Sequence, residues 1–154
     1  MCRSTRAEAR VARRGVLRTP WLVVGGWWLV VVTETVRNYK ELRVWQGAMD
    51  LVESVYRLSA GFPPEENYGL RAQIRRAAVS IPSNIAEGQS RASTKEFLNH
   101  LSMAQASLAE VETQLEISVR LKYLAAEQVT AAAQAVQKLG KQLHALRTAL
   151  EARK

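Results

Sequence analysis

From Glu41 onward the apolar residues of the chain recur at alternating steps of three and four. Leu42, Trp45, Met49, Val52, Val55 or Tyr56, and Ser59 predict an amphipathic helix over about 41–60. Gly61 stands where a C-terminal cap belongs, and Pro63-Pro64 forbid continuation. After the acidic turn EENYG, a second stripe of Leu70, Ile74, Ala77 or Ala78, Ile81 and Ile85 predicts a helix over about 67–87. A third, Phe97, Leu101, Ala104, Leu108, Val111, Leu115 and Ser118 or Val119, predicts a helix over about 94–122. Ser93, three residues before Glu96, forms a capping box at its start. The pattern breaks at Lys122-Tyr123-Leu124 and resumes as Val129, Ala132 or Ala133, Val136, Leu139, Leu143, Leu146 and Leu150, a fourth helix over about 126–152. No alternation of period two is sustained in residues 39–154, so no sheet is expected.

Four helices with short links and an apolar spacing near 3.5 predict an all-α fold, an antiparallel up-down four-helix bundle with a left-handed twist. The alanines at 77, 78, 104, 106, 109, 131 to 133 and 135 allow close approach of helices within one chain or between chains.

The second stripe contains its own contradiction. RRAAVSIPSNIAEG places Pro82 inside the helix, where it removes the bond to the carbonyl of Ala78 and its ring pushes that carbonyl aside. The reading is a kinked helix ending at Gly88. Ser80, Ser83 and Asn84 are suited to satisfy the backbone groups a bend exposes, or to bond a neighbouring subunit, so that Ser80, Pro82, Ser83, Asn84, Glu87 and Gly88 form a shaped interface.

The first 38 residues differ from the rest. Six arginines precede the apolar run PWLVVGGWWLVVV, Pro20 to Val32. The run lacks a small-x-small cleavage site, and its thirteen residues fall short of the roughly 20 of a spanning helix. Three readings stand: a poorly ordered extension, including a start codon assigned too far upstream; a membrane-associating or signal-like segment; and a basic arm for nucleic acid. The first is preferred, with residues 39–154 as the bundle domain.

Charge sharpens this division. The chain carries a net +8, but residues 1–38 hold seven Lys/Arg against two acids, a net +5, leaving +3 for residues 39–154. The bundle is mildly basic. One cysteine, Cys2, excludes an intrachain disulfide and a cysteine metal cluster, and fits a reducing cytoplasm.

Catalytic patterns are absent. A di-iron bundle needs Glu-x-x-His, which the chain lacks; Glu96 and His100 at i and i+4 read as a surface pair, and His144 as a boundary or surface histidine. No phosphate loop, nucleophile elbow or metal-ligand spacing occurs, so the expectation is a non-enzyme without metal, cofactor or small-molecule substrate. Arg71 and Arg75 share one helix face, Arg91 and Lys95 flank the next connection, and Lys40 and Arg43 open the first helix. Together they are candidates for nucleic-acid phosphate; alternatively they are solvated or paired with Glu65, Glu66 and Glu87. Tyr68, Trp45 and Tyr56 read as core or interface residues in preference to a base-stacking platform.

LRVWQGAMDL, YGLRAQIRRAAVSIPSNIAEG, KEFLNHL and SLAEVETQLEIS resemble a small bacterial four-helix-bundle family. It includes intervening-sequence proteins encoded within large-subunit ribosomal RNA genes, and is similar to the accessory variability determinant of diversity-generating retroelements. The resemblance spans about residues 39–150 and leaves out the first 38. It implies a homopentamer forming a positively charged barrel, with nucleic acid and a reverse transcriptase as partners of the retroelement members, and no catalytic residues. The functional expectation is a cytoplasmic, non-enzymatic oligomeric module binding RNA or DNA non-specifically, or a nucleic-acid-handling protein such as a reverse transcriptase. The alternative is a self-assembling scaffold that binds no nucleic acid.

Overall fold

The computed structural model describes residues 38–152; the readings made for residues 1–37 lie outside the described residues. Four helices form, α1 (Arg43–Ser59), α2 (Leu70–Gln89), α3 (Thr94–Arg120) and α4 (Ala126–Glu151), and the described residues contain no strand. Contacts join α1 to α2, α2 to α3, α3 to α4 and α4 back to α1.

The helix starts differ from those the stripes predict, for local reasons. Tyr39–Glu41 is a 3-10 turn capped by Asn38, whose side chain accepts the Lys40 N–H at 3.0 Å, and Leu42 is extended, so α1 begins at Arg43. Pro64–Asn67 is a second 3-10 turn, and α2 begins only at Leu70, whose N–H donates to Glu66 Oε2 at 2.6 Å. Gly69 makes room for this carboxylate, since a Cβ there would collide with Glu66 Oε2.

At α3 the predicted cap forms, with the Glu96 N–H donating to Ser93 Oγ at 3.2 Å. The Glu96 carboxylate accepts the Ser93 hydroxyl at 2.7 Å instead of reaching the backbone, so the box is half closed. α3 ends in a Schellman turn, Tyr123 N–H to Ser118 O and Lys122 N–H to Val119 O, both 2.9 Å. This turn forces Lys122 to φ 61°, a left-handed conformation that glycine adopts without penalty.

Two glycine readings change. α1 is capped by Ala60 in the right-handed region, with Gly61 only following it. α2 runs on to Gln89, and Gly88 is a packing residue rather than the terminus: a Cβ there would meet His100 Cβ at 2.6 Å and Phe97 Cδ2 at 2.8 Å. α2 also continues through Pro82, which is buried in the helix. Ser83 Oγ donates to Val79 O at 2.8 Å and Asn84 Nδ2 to Ser80 O at 2.8 Å, so both side chains serve carbonyls of the turn before them.

The core follows the stripes of α2, α3 and α4: Ile74, Ile81, Ile85, Leu101, Val111, Leu139 and Leu143 are fully buried. Over its first turns α1 is rotated by one residue from the reading, which it rejoins at Val55 and Ser59. Its buried face is Val44, Ala48, Leu51, Val55 and Ser59, while Met49 is 42% and Tyr56 43% exposed. Trp45 and Val52 are half-buried at the margin of the core. α1 therefore carries two adjacent apolar stripes, and the one with the smaller side chains faces inward.

Candidate functional site

Arg71 and Arg75, the two arginines singled out on α2, turn towards the end of α1. Arg75 Nε donates to the buried Ser59 Oγ at 2.8 Å and its Nη2 to Tyr56 O at 3.5 Å, while the guanidinium lies 4.6 Å above the Tyr56 ring. Arg71 donates to Phe62 O, to Pro63 O at 3.5 Å and to Asn67 Oδ1 at 2.7 Å. Its Nε is enclosed without a partner. The carbonyls at a helix C-terminus carry partial negative charge and lack intrahelical donors, so two cations from α2 complete α1 and its outgoing link.

The same end of the fold is tied to the α3–α4 link. Phe62 packs against Tyr123 with ring centroids 5.7 Å apart, and Tyr123 OH donates to Glu66 Oε1 at 3.0 Å. One carboxylate thus caps α2 and holds Tyr123. That hydrogen bond, aided by desolvation and the nearby charges of Glu66 and Glu65, pushes the Tyr123 phenol above its ordinary value.

A polar seam follows α2 and α3 away from this end. Ser107 Oγ donates to Ser80 Oγ at 2.9 Å, Asn84 Nδ2 reaches the same hydroxyl at 3.0 Å, and Asn84 Oδ1 faces His100 Nδ1 at 3.4 Å. His100 Nε2 lies 3.9 Å from Glu87, which also pairs with Arg91. His100 therefore looks across to α2, and Glu96 stays with Ser93; the expected pair along α3 is replaced by contacts between helices. Ser80, Asn84 and Glu87 come together on this seam, Ser83 bonds within its own helix, and Gly88 forms the close approach beside it.

The remaining candidate cations are exposed and scattered. The side chains of Lys40, Arg43 and Lys95 make no ion pair among the described residues, and Arg91 bonds only Glu87. Arg76 lines a groove of about 320 Å³ between α2 and α3 with Gln73, Ser80, Ser107, Glu110 and Gln114; Gln114 Oε1 is enclosed there without a donor. Arg43 lines a second groove between α1 and α4, about 400 Å³, with Lys138, which sequence reasoning missed because helical spacing alone does not say which faces of two distant helices meet. Of the aromatic residues, Tyr68 is 96% exposed and lies outside the core, and Trp45 stacks edge-on with Tyr39 at 5.4 Å.

The described residues hold no group of three or more His, Cys, Asp or Glu placed for a metal, and no helix among them is long and apolar enough to cross a membrane. What the arrangement offers chemically is hydrogen-bond donors, unpaired cations and apolar surface.

Comparison with known proteins places this fold. Among curated proteins none matches the chain. A crystal structure of a protein with unknown function from the S23 ribosomal protein family of Bacteroides thetaiotaomicron VPI-5482 matches with a TM-score of 0.63 and 24% identity, covering 68% of this chain and 97% of that one. At that identity the likeness speaks for the fold. The family model described as 23S rRNA-intervening sequence protein matches residues 40–145, the stretch that holds α1, α2, α3 and most of α4. The chain belongs to the 23S rRNA-intervening sequence protein family.

Proposed function

We propose that the protein is a non-enzymatic helical module that assembles with copies of itself and binds nucleic acid through phosphate, without reading bases. The observation that carries this reading is the division of labour among the cations. Arg71 and Arg75 are spent on the C-terminal end of α1, whereas Lys40, Arg43 and Lys95 keep their charged groups free of partners within the described residues. Arg91 joins them, because an exposed i,i+4 pair with Glu87 is weak enough to exchange for phosphate.

Assembly draws support from α1. Trp45, Met49, Val52 and Tyr56 follow steps of four, three and four, the spacing of a narrow seam that meets another helix. Val79, one turn beyond Arg75 on α2, extends the exposed apolar surface. A homopentamer, implied by the family resemblance, is the proposed assembly. An up-down bundle with a left-handed twist is the proposed arrangement; its antiparallel order draws support from Ser80 with Ser107 and Asn84 with His100 between α2 and α3, and from Gly140 beside Leu108 and Arg147 with Ser102 between α3 and α4, since within each pair of helices partner numbers fall as residue numbers rise. The proposed setting is the cytoplasm, with a nucleic-acid-handling protein such as a reverse transcriptase as a further partner.

The same seam favours a second reading, a scaffold that assembles without touching nucleic acid. Sedimentation of the purified chain with and without single-stranded RNA separates the two. Co-sedimentation that disappears with added salt supports the first; an oligomer that leaves RNA behind at low salt supports the second.

A further inference from the structure

The fold leaves the groove between α1 and α4 unexplained. Arg43, Gln46, Gly47 and Asp50 form its α1 wall at i, i+3, i+4 and i+7, and Lys138 and Gln142 stand opposite on α4. Glycine inside a helix is destabilising relative to alanine. At Gly47 nothing in the packing requires it: a Cβ would sit 3.5 Å from Gln142 Oε1 and 3.8 Å from Leu139 Cδ1, ordinary contact distances. Gly88 is the contrast, since there a Cβ would collide. The missing side chain at Gly47 instead keeps the floor of the groove open.

The charges around that floor are exposed and unpaired within the described residues. Arg43, Lys138 and Asp50 line one groove, yet none forms an ion pair among the described residues. Its volume of about 400 Å³ is near the low end of the roughly 300–1,000 Å³ typical of small-ligand sites, too small for a duplex.

We infer that this groove seats one nucleotide unit of a single-stranded nucleic acid, with its phosphate held by Arg43 and Lys138 above Gly47. The inference rests on the nucleic-acid reading above and gives that reading a place. An arginine fork and a lysine point charge together suit phosphate. Asp50, an acceptor only, receives a sugar hydroxyl or a base amine and sets the direction of the unit along the groove. Gln142, whose side chain has no hydrogen bond within the described residues, supplies both a donor and an acceptor to the same unit.

The test is fluorescence anisotropy of a short fluorescein-labelled oligouridylate with the full chain across a salt series. Gly47→Leu fills the groove and weakens binding at least about tenfold, while Gly47→Ala, which fits, keeps the protein folded and weakens binding less. Arg43→Gln lowers affinity and flattens the log–log salt slope by about 0.7, the single-strand value for one phosphate contact. Lys122→Gln removes the same charge outside the groove and stays within about twofold of wild type. If wild type binds and the Gly47 and Arg43 variants match it, or if Lys122→Gln loses as much as Arg43→Gln, the groove assignment falls and the wider reading stands. If wild type fails to bind at low salt, both fall.

Discussion

Arg75 bonds a buried serine hydroxyl and covers an aromatic ring, and Arg71 gathers the carbonyls of the link after α1. Hydrogen bonds to charged groups contribute about 1.5–3 kcal/mol, so Arg75→Ala lowers unfolding free energy by about 2 kcal/mol in a urea titration. A loss of RNA affinity at unchanged stability would return Arg75 to the surface. Gly88→Ala forces a Cβ into His100 and Phe97 and costs about 1–3 kcal/mol, whereas Lys122→Gly relieves a left-handed residue and stabilises by about 1 kcal/mol. Tyr123 adds a pH dependence. Its protonated phenol donates to Glu66, so its folded pKa lies above the unfolded value near 10. The resulting stabilisation is complete below pH ~10 and fades as pH rises through the raised value. The stability gap between wild type and Tyr123→Phe therefore narrows in strongly alkaline urea titrations; a constant gap would show that the hydroxyl acts through packing alone.

At the scale of elements, the period of apolar residues located all four helices, and for α2, α3 and α4 it also named the buried face. α1 was harder because it is apolar on two neighbouring stripes. Ala48 faces the core while Met49 and Tyr56 face out, and size and hydrophobicity alone would choose the reverse. What decides is the space left by α2 and α4, which a single helix does not encode. The bond from Tyr123 to Glu66 was illegible for a similar reason, since the residues are 57 positions apart and meet only when two links share one end of the fold. Arg71 and Arg75 were legible as a pair on one face, but the carbonyls they serve belong to another helix. The outward stripe of α1 makes its own prediction. Met49→Glu with Tyr56→Glu dissociates the assembly at micromolar concentration, read by sedimentation velocity, with helical circular dichroism retained. An oligomer unchanged by both substitutions would exclude this seam from the interface.

In the whole molecule, a member of the 23S rRNA-intervening sequence protein family, a small apolar core is combined with an outward apolar stripe on α1 and with cations unpaired within the described residues. The bundle's excess of basic over acidic residues is small, +3 over residues 39–154. The proposed function accordingly predicts weak nucleic-acid affinity for one chain, which the proposed assembly would multiply by presenting several copies to one strand. The affinity of the full chain for single-stranded RNA, measured against salt concentration, decides whether the bundle binds nucleic acid through phosphate. Phosphate binding gives an affinity at low salt whose logarithm falls linearly with the logarithm of salt concentration, with a slope of about −0.7 for each phosphate engaged. No binding at low salt, or an affinity that stays flat as salt rises, would contradict it.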